Sequence, residues 1–199
     1  MIKQIEQLKR GLSTAFINQD ISSNLAYRPQ FVSNNYKEGR KVISSIEDEL
    51  LSCEEFAISV AFITMGGITP LLQTFRELEQ RGISGKILTT DYLTFSDPKA
   101  LRILANFKNI ELKMFVTENA KEGFHTKGYI FKKEEMYRII VGSSNMTLSA
   151  LTTNREWNTK IVSTEQGEYT QNVVEEFDQL WNEQQSLVFE QFIEVYTNV

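Results

Sequence analysis

The chain has 199 residues, 41% of them hydrophobic, which supplies one sizeable core and excludes several independent ones. Its formal net charge of −5 excludes a surface that coats nucleic acid nonspecifically, so any phosphate site must be local. A lone cysteine, Cys53, excludes an internal disulfide and a thiolate metal cage, agrees with a reducing compartment, and reads as a small buried hydrophobe ending a helix.

The opening stretch MIKQIEQLKRGLSTAFI places Ile2, Ile5, Leu8, Leu12 and Phe16 at three- and four-residue steps, which predicts an amphipathic helix. It also carries a charge in every turn, unlike a signal segment. Apolar runs such as EFAISVAFI are too short to span a bilayer, so a soluble, cytoplasmic protein without membrane partners is expected. Asn, Ser and Pro break the pattern from Asn18 to Lys37, and a helical stripe returns through Val42, Ile43, Ile46 and Leu50. EFAISVAFIT is a continuous apolar run, expected as a strand covered on both faces.

A helix is then expected after Gly66-Gly67, stopping at Gly82 and packing through Leu71, Leu72, Phe75 and Leu78. GKILTT reads as a second strand, DPKALRILANF as a short helix and NIELKMFV as a third strand. TKGYIFKK and MYRIIVG form an expected hairpin, EWNTKIVS another strand, and EQGEYTQNVVEEFDQLWNEQ a long closing helix. Early strands separated by helices, followed by adjacent strands, describe an α/β fold: a mixed β-sheet sandwiched by helices. The expected organisation is one domain over residues 1–199 with an N-terminal helical extension to about residue 20. Charge is even along the chain, apart from a basic cluster around Lys121, Lys127, Lys132, Lys133 and Arg138 and an acidic segment from Glu165 to Glu183 that reads as a solvated helix face.

His125 is the only histidine. In an extended strand residues two apart share a face, so His125 and Lys127 are expected to project together, about 7 Å apart along the backbone. Gly142-Ser143-Ser144-Asn145 follows an apolar strand; it is either an ordinary turn or, with Ser and Asn as neutral donors, an outline phosphate pocket. Glu156 in NREWN is either a surface carboxylate at a strand start or the partner that orients the imidazole. Trp157, facing the opposite way, is expected in the core. Thr89, Thr90 and Asp91 are weaker candidates at the end of the second strand, and Tyr92, Phe95 and Phe124 read as core aromatics before base-stacking ones. No clustering of His, Cys and carboxylates suggests a metal, and no cofactor is implied.

The succession of HTK, GSSN and NREWN resembles the phospholipase D superfamily signature, a His-x-Lys followed by Gly-Ser-x-Asn and a downstream acidic residue. The Asp usual five residues after the Lys is replaced here by Lys132, and the hairpin before the glycine is longer. That departure points away from phospholipid transesterification and toward the single-motif nucleases, restriction endonucleases among them. More broadly, SVAFIT, ILTTDYL, DPKAL and EWNTKIVSTEQGE resemble the phospholipase D-like module at the N-terminus of certain bacterial superfamily-two helicases, over roughly Asn24 to Trp181. The resemblance implies a piece or relative of a longer helicase chain, although no G-x-x-x-x-G-K-[ST] loop for ATP occurs here.

What the resemblance implies is a metal-independent nuclease or phosphodiesterase acting on double- or single-stranded DNA through a phosphohistidine. His125, Lys127, Asn145 and Glu156 are then the catalytic set, with Lys127, Ser143 and Asn145 holding phosphate. That chemistry uses two histidines, so one His per chain implies a homodimer with a shared site. The alternative is a catalytically silent nucleic-acid-binding or dimerisation module of a helicase.

Overall fold

A computed structural model describes residues 2–118 and 120–197. Its order is α1 (Ile2–Phe16), β1 (Gln30–Val32), α2 (Val42–Ser52), β2 (Glu55–Val60), α3 (Met65–Ile68), α4 (Leu72–Arg81) and β3 (Ser84–Thr90). Then follow α5 (Pro98–Ala105), β4 (Ile110–Phe115), β5 (Lys127–Lys133), β6 (Met136–Gly142), α6 (Leu148–Thr152), β7 (Asn158–Thr164), α7 (Glu168–Asn182), β8 (Ser186–Val188) and α8 (Phe189–Thr197). The strands form a single sheet in the order β1-β7-β6-β5-β2-β3-β4-β8. Among the described strands, only the β2–β3 and β3–β4 pairs are parallel. These are the strands joined through helices, since a parallel return needs a crossover. The strands β5 and β6 instead form a tight antiparallel hairpin, with Glu134 supplying the positive φ of its turn.

Local chemistry sets the helix limits. Asp97 accepts from Lys99 N–H ahead of α5, whose first residue is Pro98. Gly82, at φ 69°, closes α4 in the left-handed conformation that favours glycine. One expectation shifts: the helix foreseen after the Gly-Gly pair starts at Met65, capped by Thr64 accepting from Gly67 N–H. The glycines therefore lie inside the turn. A Cβ on Gly67 would meet the carbonyl oxygen of Met146 at 1.9 Å, so glycine is needed for α3 to rest on the segment after β6.

The sheet is covered on both faces. On one, α2, α4, α5 and α8 bury Ile46, Leu50, Phe75, Leu101 and Phe192 against Ile58 and its neighbours; each such side chain contributes about 1.5–3 kcal/mol. On the other, α7 lays Phe177 and Trp181 over Leu88, Ile130 and Ile139. The first helix, α1, rests Leu8 on Met136 and Val162. The free cysteine is buried at the end of α2, where burial pushes its thiol up to about 11, in keeping with a packing role. Among the described residues no helix is long and apolar enough to cross a membrane.

Register brings the signature together. Val60, the last residue of β2, lies opposite Lys127, the first of β5. Gly142, the last of β6, lies opposite Asn158, the first of β7. The ends of β2, β3, β4 and β6 and the beginnings of β5 and β7 thus share one edge of the sheet.

Candidate active site

His125 sits in the extended segment leading into β5, two residues before the strand begins. Phe124 points inward and stacks on Phe115 with ring centroids 5.5 Å apart. Thr126 bonds to Ser59 of β2. With those two side chains tied down, alternation leaves His125 exposed and Lys127 beside it, half-buried. The Lys127 ammonium lies 3.0 Å from His125 Nδ1 and 3.2 Å from Nε2, and donates to the His125 carbonyl at 3.0 Å. Desolvation lowers the Lys127 pKa, and the negative charge of Glu156 partly restores it. The Phe62 ring stands 6.3 Å from the imidazole.

The segment after β6 is held from several directions. A Cβ on Gly142 would fall 2.3 Å from the Trp157 carbonyl oxygen and 2.5 Å from Asn158 Oδ1, so glycine alone permits β6 and β7 to close here. Ser143 N–H donates to the Trp157 carbonyl at 3.1 Å, and the Ser143 hydroxyl accepts from Trp157 N–H at 3.0 Å. Fully buried Ser144 donates its N–H to Asn158 Oδ1 at 3.2 Å, while Asn158 Nδ2 donates to Ser144 Oγ at 2.9 Å and to the Val32 carbonyl at 3.1 Å. Buried Tyr129 donates its hydroxyl to the Ser144 carbonyl at 3.0 Å. Burial, seconded by the charge of Glu156, raises that phenol's pKa and keeps it a donor.

This clamp presents Asn145 at the edge. Its Oδ1 accepts from Phe62 N–H at 3.1 Å, which leaves the two N–H donors of the amide available for another acceptor. A cation at Lys127 and a neutral amide at Asn145 can together hold the equatorial oxygens of a phosphoryl group. Among the described residues no group of three or more His, Cys, Asp or Glu side chains converges as metal ligands.

A family model described as "Cardiolipin synthase, PLD-like domain" matches residues 48–181, well over half the chain. The chain belongs to the PLD-like family. Solved structures share its fold. Nuc from Salmonella typhimurium, a phospholipase D family member, superposes with a TM-score of 0.62 at 18% identity, over 81% of this chain and 99% of Nuc. NucT from Helicobacter pylori does so with 0.63 at 16% identity, over 81% and 99%. Phosphatidylserine synthase from Haemophilus influenzae Rd KW20 gives 0.60 at 16% identity, over 86% of this chain and 41% of the synthase. No curated protein matches the chain.

The PLD-like segment contains all five residues singled out from the sequence, and the structure arranges them in two groups. His125 and Lys127 touch each other, and Asn145 joins their neighbourhood through Phe62. Ser143 and Glu156 form the second group. The Glu156 carboxylate, only 9% exposed, accepts a short hydrogen bond from the Ser143 hydroxyl, so it is neither the surface carboxylate nor the imidazole's hydrogen-bond partner that the sequence offered as alternatives. The reason is the closure at Gly142, which carries Ser143 onto the residues just ahead of β7. Its charge still reaches Lys127.

Trp157 corrects a second expectation. It is 75% exposed, edge-on to Phe31 at 5.8 Å, because Asn158 takes the inward position expected for the indole. The weaker candidates at the end of β3 are structural: buried Thr89 donates to the Ala61 carbonyl, and Asp91 accepts from both N–H and hydroxyl of Thr117. Phe124 is core, as expected, whereas Tyr92 and Phe95 are exposed. Asn158 and Phe62 also shape the site, and the sequence signals them only through the position of Asn158 at the end of NREWN. The departure at Lys132 lies five residues down β5, roughly 16 Å from Lys127 and on the other face. There it faces Glu55 and Tyr137, with its ammonium 5.5 Å from the Tyr137 ring, so it leaves the PLD-like edge untouched.

Proposed function

We propose that the chain is a phosphodiesterase acting on DNA without a metal, through a phosphohistidine on His125, in a site shared by two copies. The observation that carries this reading is the juxtaposition of exposed His125, the Lys127 ammonium and the half-buried amide of Asn145, placed by its bond to Phe62. A ring nitrogen of His125 attacks phosphorus as the P–O bond to the leaving oxygen breaks, and imidazolium of the second copy's His125 gives that oxygen its proton. Water then attacks the phosphohistidine, the second imidazole takes a proton from it, and the P–N bond breaks. Lys127 and Asn145 stabilise the charge on the equatorial oxygens throughout. Glu156 supports the ammonium of Lys127 from behind.

Self-association is supported by an uncovered strip of sheet beside the site. Phe31, Thr159, Val141 and Gly128 are successive cross-strand neighbours on one face. Phe31 is 58% and Val141 41% exposed, and Trp157 stands beside them. The strip lies on the face of the sheet opposite His125 and Lys127, so a two-fold axis that brings two His125 side chains together passes the end of the sheet where His125 is exposed. The likeness to the N-terminal module of superfamily-two helicases supports a helicase as the neighbour in a longer chain, with DNA cut or processed as that enzyme handles it.

The test is cleavage of plasmid and single-stranded DNA in excess EDTA, followed by subunit mixing. Cleavage persists in EDTA on this reading; loss restored by Mg²⁺ or Mn²⁺ overturns the histidine mechanism. Wild-type protein equilibrated with His125→Ala protein, with exchange shown by differently tagged chains, gives activity per total dimer that follows the square of the wild-type fraction. Linear dependence overturns the shared site. Binding of DNA with no cleavage under any of these conditions favours the silent module.

A further inference from the structure

Beside the imidazole, a groove of 520 Å³ is lined by Phe62, Phe95 and Leu148 together with the hydroxyl-bearing Thr64, Thr147 and Thr152. No charged side chain lines it. Its two aromatic rings meet edge to face with centroids 5.2 Å apart, and Phe62 is the ring next to His125. Phe95 is 58% exposed, a large apolar ring left open to solvent beside the site.

The backbone holds this pair rigidly. Ile63 N–H donates to Ser96 Oγ at 3.1 Å, and Asp97 N–H donates to the Ile63 carbonyl at 2.8 Å, so the residues carrying the two rings sit on adjoining strands of backbone. Ser96 is further fixed by the Tyr196 hydroxyl from α8, which donates to its carbonyl at 2.7 Å, and by the hydroxyl of Thr89 at 3.2 Å. Immediately ahead of Phe95, Leu93 and Thr94 both adopt positive φ, 57° and 50°. That conformation is unfavourable for any side chain and most of all for β-branched threonine. Backbone held in this state persists only where the surroundings impose it, and such positions concentrate at ligand-binding segments.

We propose that the Phe62–Phe95 groove is a subsite for an unpaired nucleobase, the one attached to the nucleotide next to the phosphodiester held at Lys127 and Asn145. This rests on the phosphodiesterase reading above and names the form of DNA that reading leaves open: single-stranded, or with the base turned out of the stack. Three observations converge on it. Phe62 N–H also fixes the Asn145 amide, so the groove and the phosphate donors are parts of one rigid unit. The Phe62 ring lies 6.3 Å from the imidazole, so a base stacked in this groove belongs to a nucleotide flanking the phosphodiester at His125. The neutral, hydroxyl-rimmed aromatic lining suits the face and edges of a base, which stacks on an aromatic ring whatever its identity. In a duplex that face is covered by base pairs.

The test measures binding by the full chain in the His125→Ala background, which preserves the probe. Fluorescein-labelled dT12, a 12-mer of the same backbone made wholly of abasic residues, a 12-base-pair duplex and vesicles containing phosphatidylglycerol are titrated with Phe95 and with Phe95→Ala protein. The expected result is a weakening of dT12 binding by about tenfold or more, a change under twofold for the abasic strand and the duplex, and rescue by Phe95→Tyr. Equal losses on dT12 and the abasic strand, no loss on dT12, or dT12 bound no better than the abasic strand at the outset overturns the subsite. Loss confined to the vesicles assigns the groove to a lipid chain and likewise overturns it. Turnover by wild-type protein in EDTA is scored separately. Turnover with base-independent binding sinks the subsite alone, and base-dependent binding without turnover sinks the phosphodiesterase reading alone.

Discussion

His125 and Asn145 stand on the same edge of one sheet and are held in contrasting ways. The segment leading up to Asn145 is gripped by Asn158, Tyr129, Trp157 and Phe62, with contacts that reach from β1 to β7. His125 is exposed, and its polar contacts come from Lys127, two residues away. The contrast separates labour within the site. On the proposed reading, a group that holds a phosphoryl oxygen, such as Asn145, must already be in place when charge develops, so it is built into the fold. The group that forms and breaks a bond must be reachable, and it contributes little to the stability of the chain that carries it.

Substitution on each side of the edge probes that division, and the largest effect belongs to the exposed side. His125→Ala should reduce DNA turnover by at least about a thousandfold, while thermal unfolding followed by circular dichroism stays within about 2 °C of wild type, since surface changes lie mostly within about 0.5 kcal/mol. A large drop in stability would erase the contrast. On the gripped side, Asn158→Ala leaves Ser144 N–H and the Val32 carbonyl without their partner in a buried place. A loss of about 2–4 kcal/mol in urea denaturation is expected. A loss near zero would mean that the clamp is not what positions Asn145.

Glu156→Gln sharpens the comparison because the residue belongs to the gripped group and acts on the exposed one. Turnover should fall by about tenfold to a hundredfold. The pH profile carries the sign. On the proposed reading Lys127 holds phosphate as an ammonium, so activity should decline on the alkaline side as it deprotonates, below the 10.5 of an ordinary lysine because burial disfavours its charge. The Glu156 charge raises that pKa, so the neutral amide should move the alkaline limb to lower pH. A limb that stays put or moves up would confine Glu156 to its bond with Ser143. The smallest effect is reserved for Lys132→Ala: turnover within about twofold of wild type, as expected for a side chain roughly 16 Å from Lys127 on the opposite face.

The two sides also differ in how far they could be read in advance. His125 and Lys127 were legible as a pair because strand alternation is a local rule, and two residues of extended chain suffice to place both side chains on one side. The Gly-Ser-Ser-Asn segment was legible as a choice between turn and pocket. Its supports were not, since Asn158 and Phe62 reach it from 14 and 83 residues away. Trp157 was misplaced for the same reason: a large apolar residue beside a strand favours the core, and only the contact between Gly142 and the Trp157–Asn158 backbone sends Asn158 inward and the indole outward.

By itself, then, the amino-acid order determined most of the helices and strands, though not α8, β8 or β1, together with the mixed α/β class and the family, because hydrophobic period, caps and short motifs act over a few residues. Tertiary structure alone decided that Glu156 meets Ser143, that Lys132 stands at the far end of its strand from the site, and that Phe62 and Phe95 frame a groove beside the imidazole. Those outcomes depend on register between strands distant in sequence. Register is settled by the packing of whole faces, which no local pattern encodes.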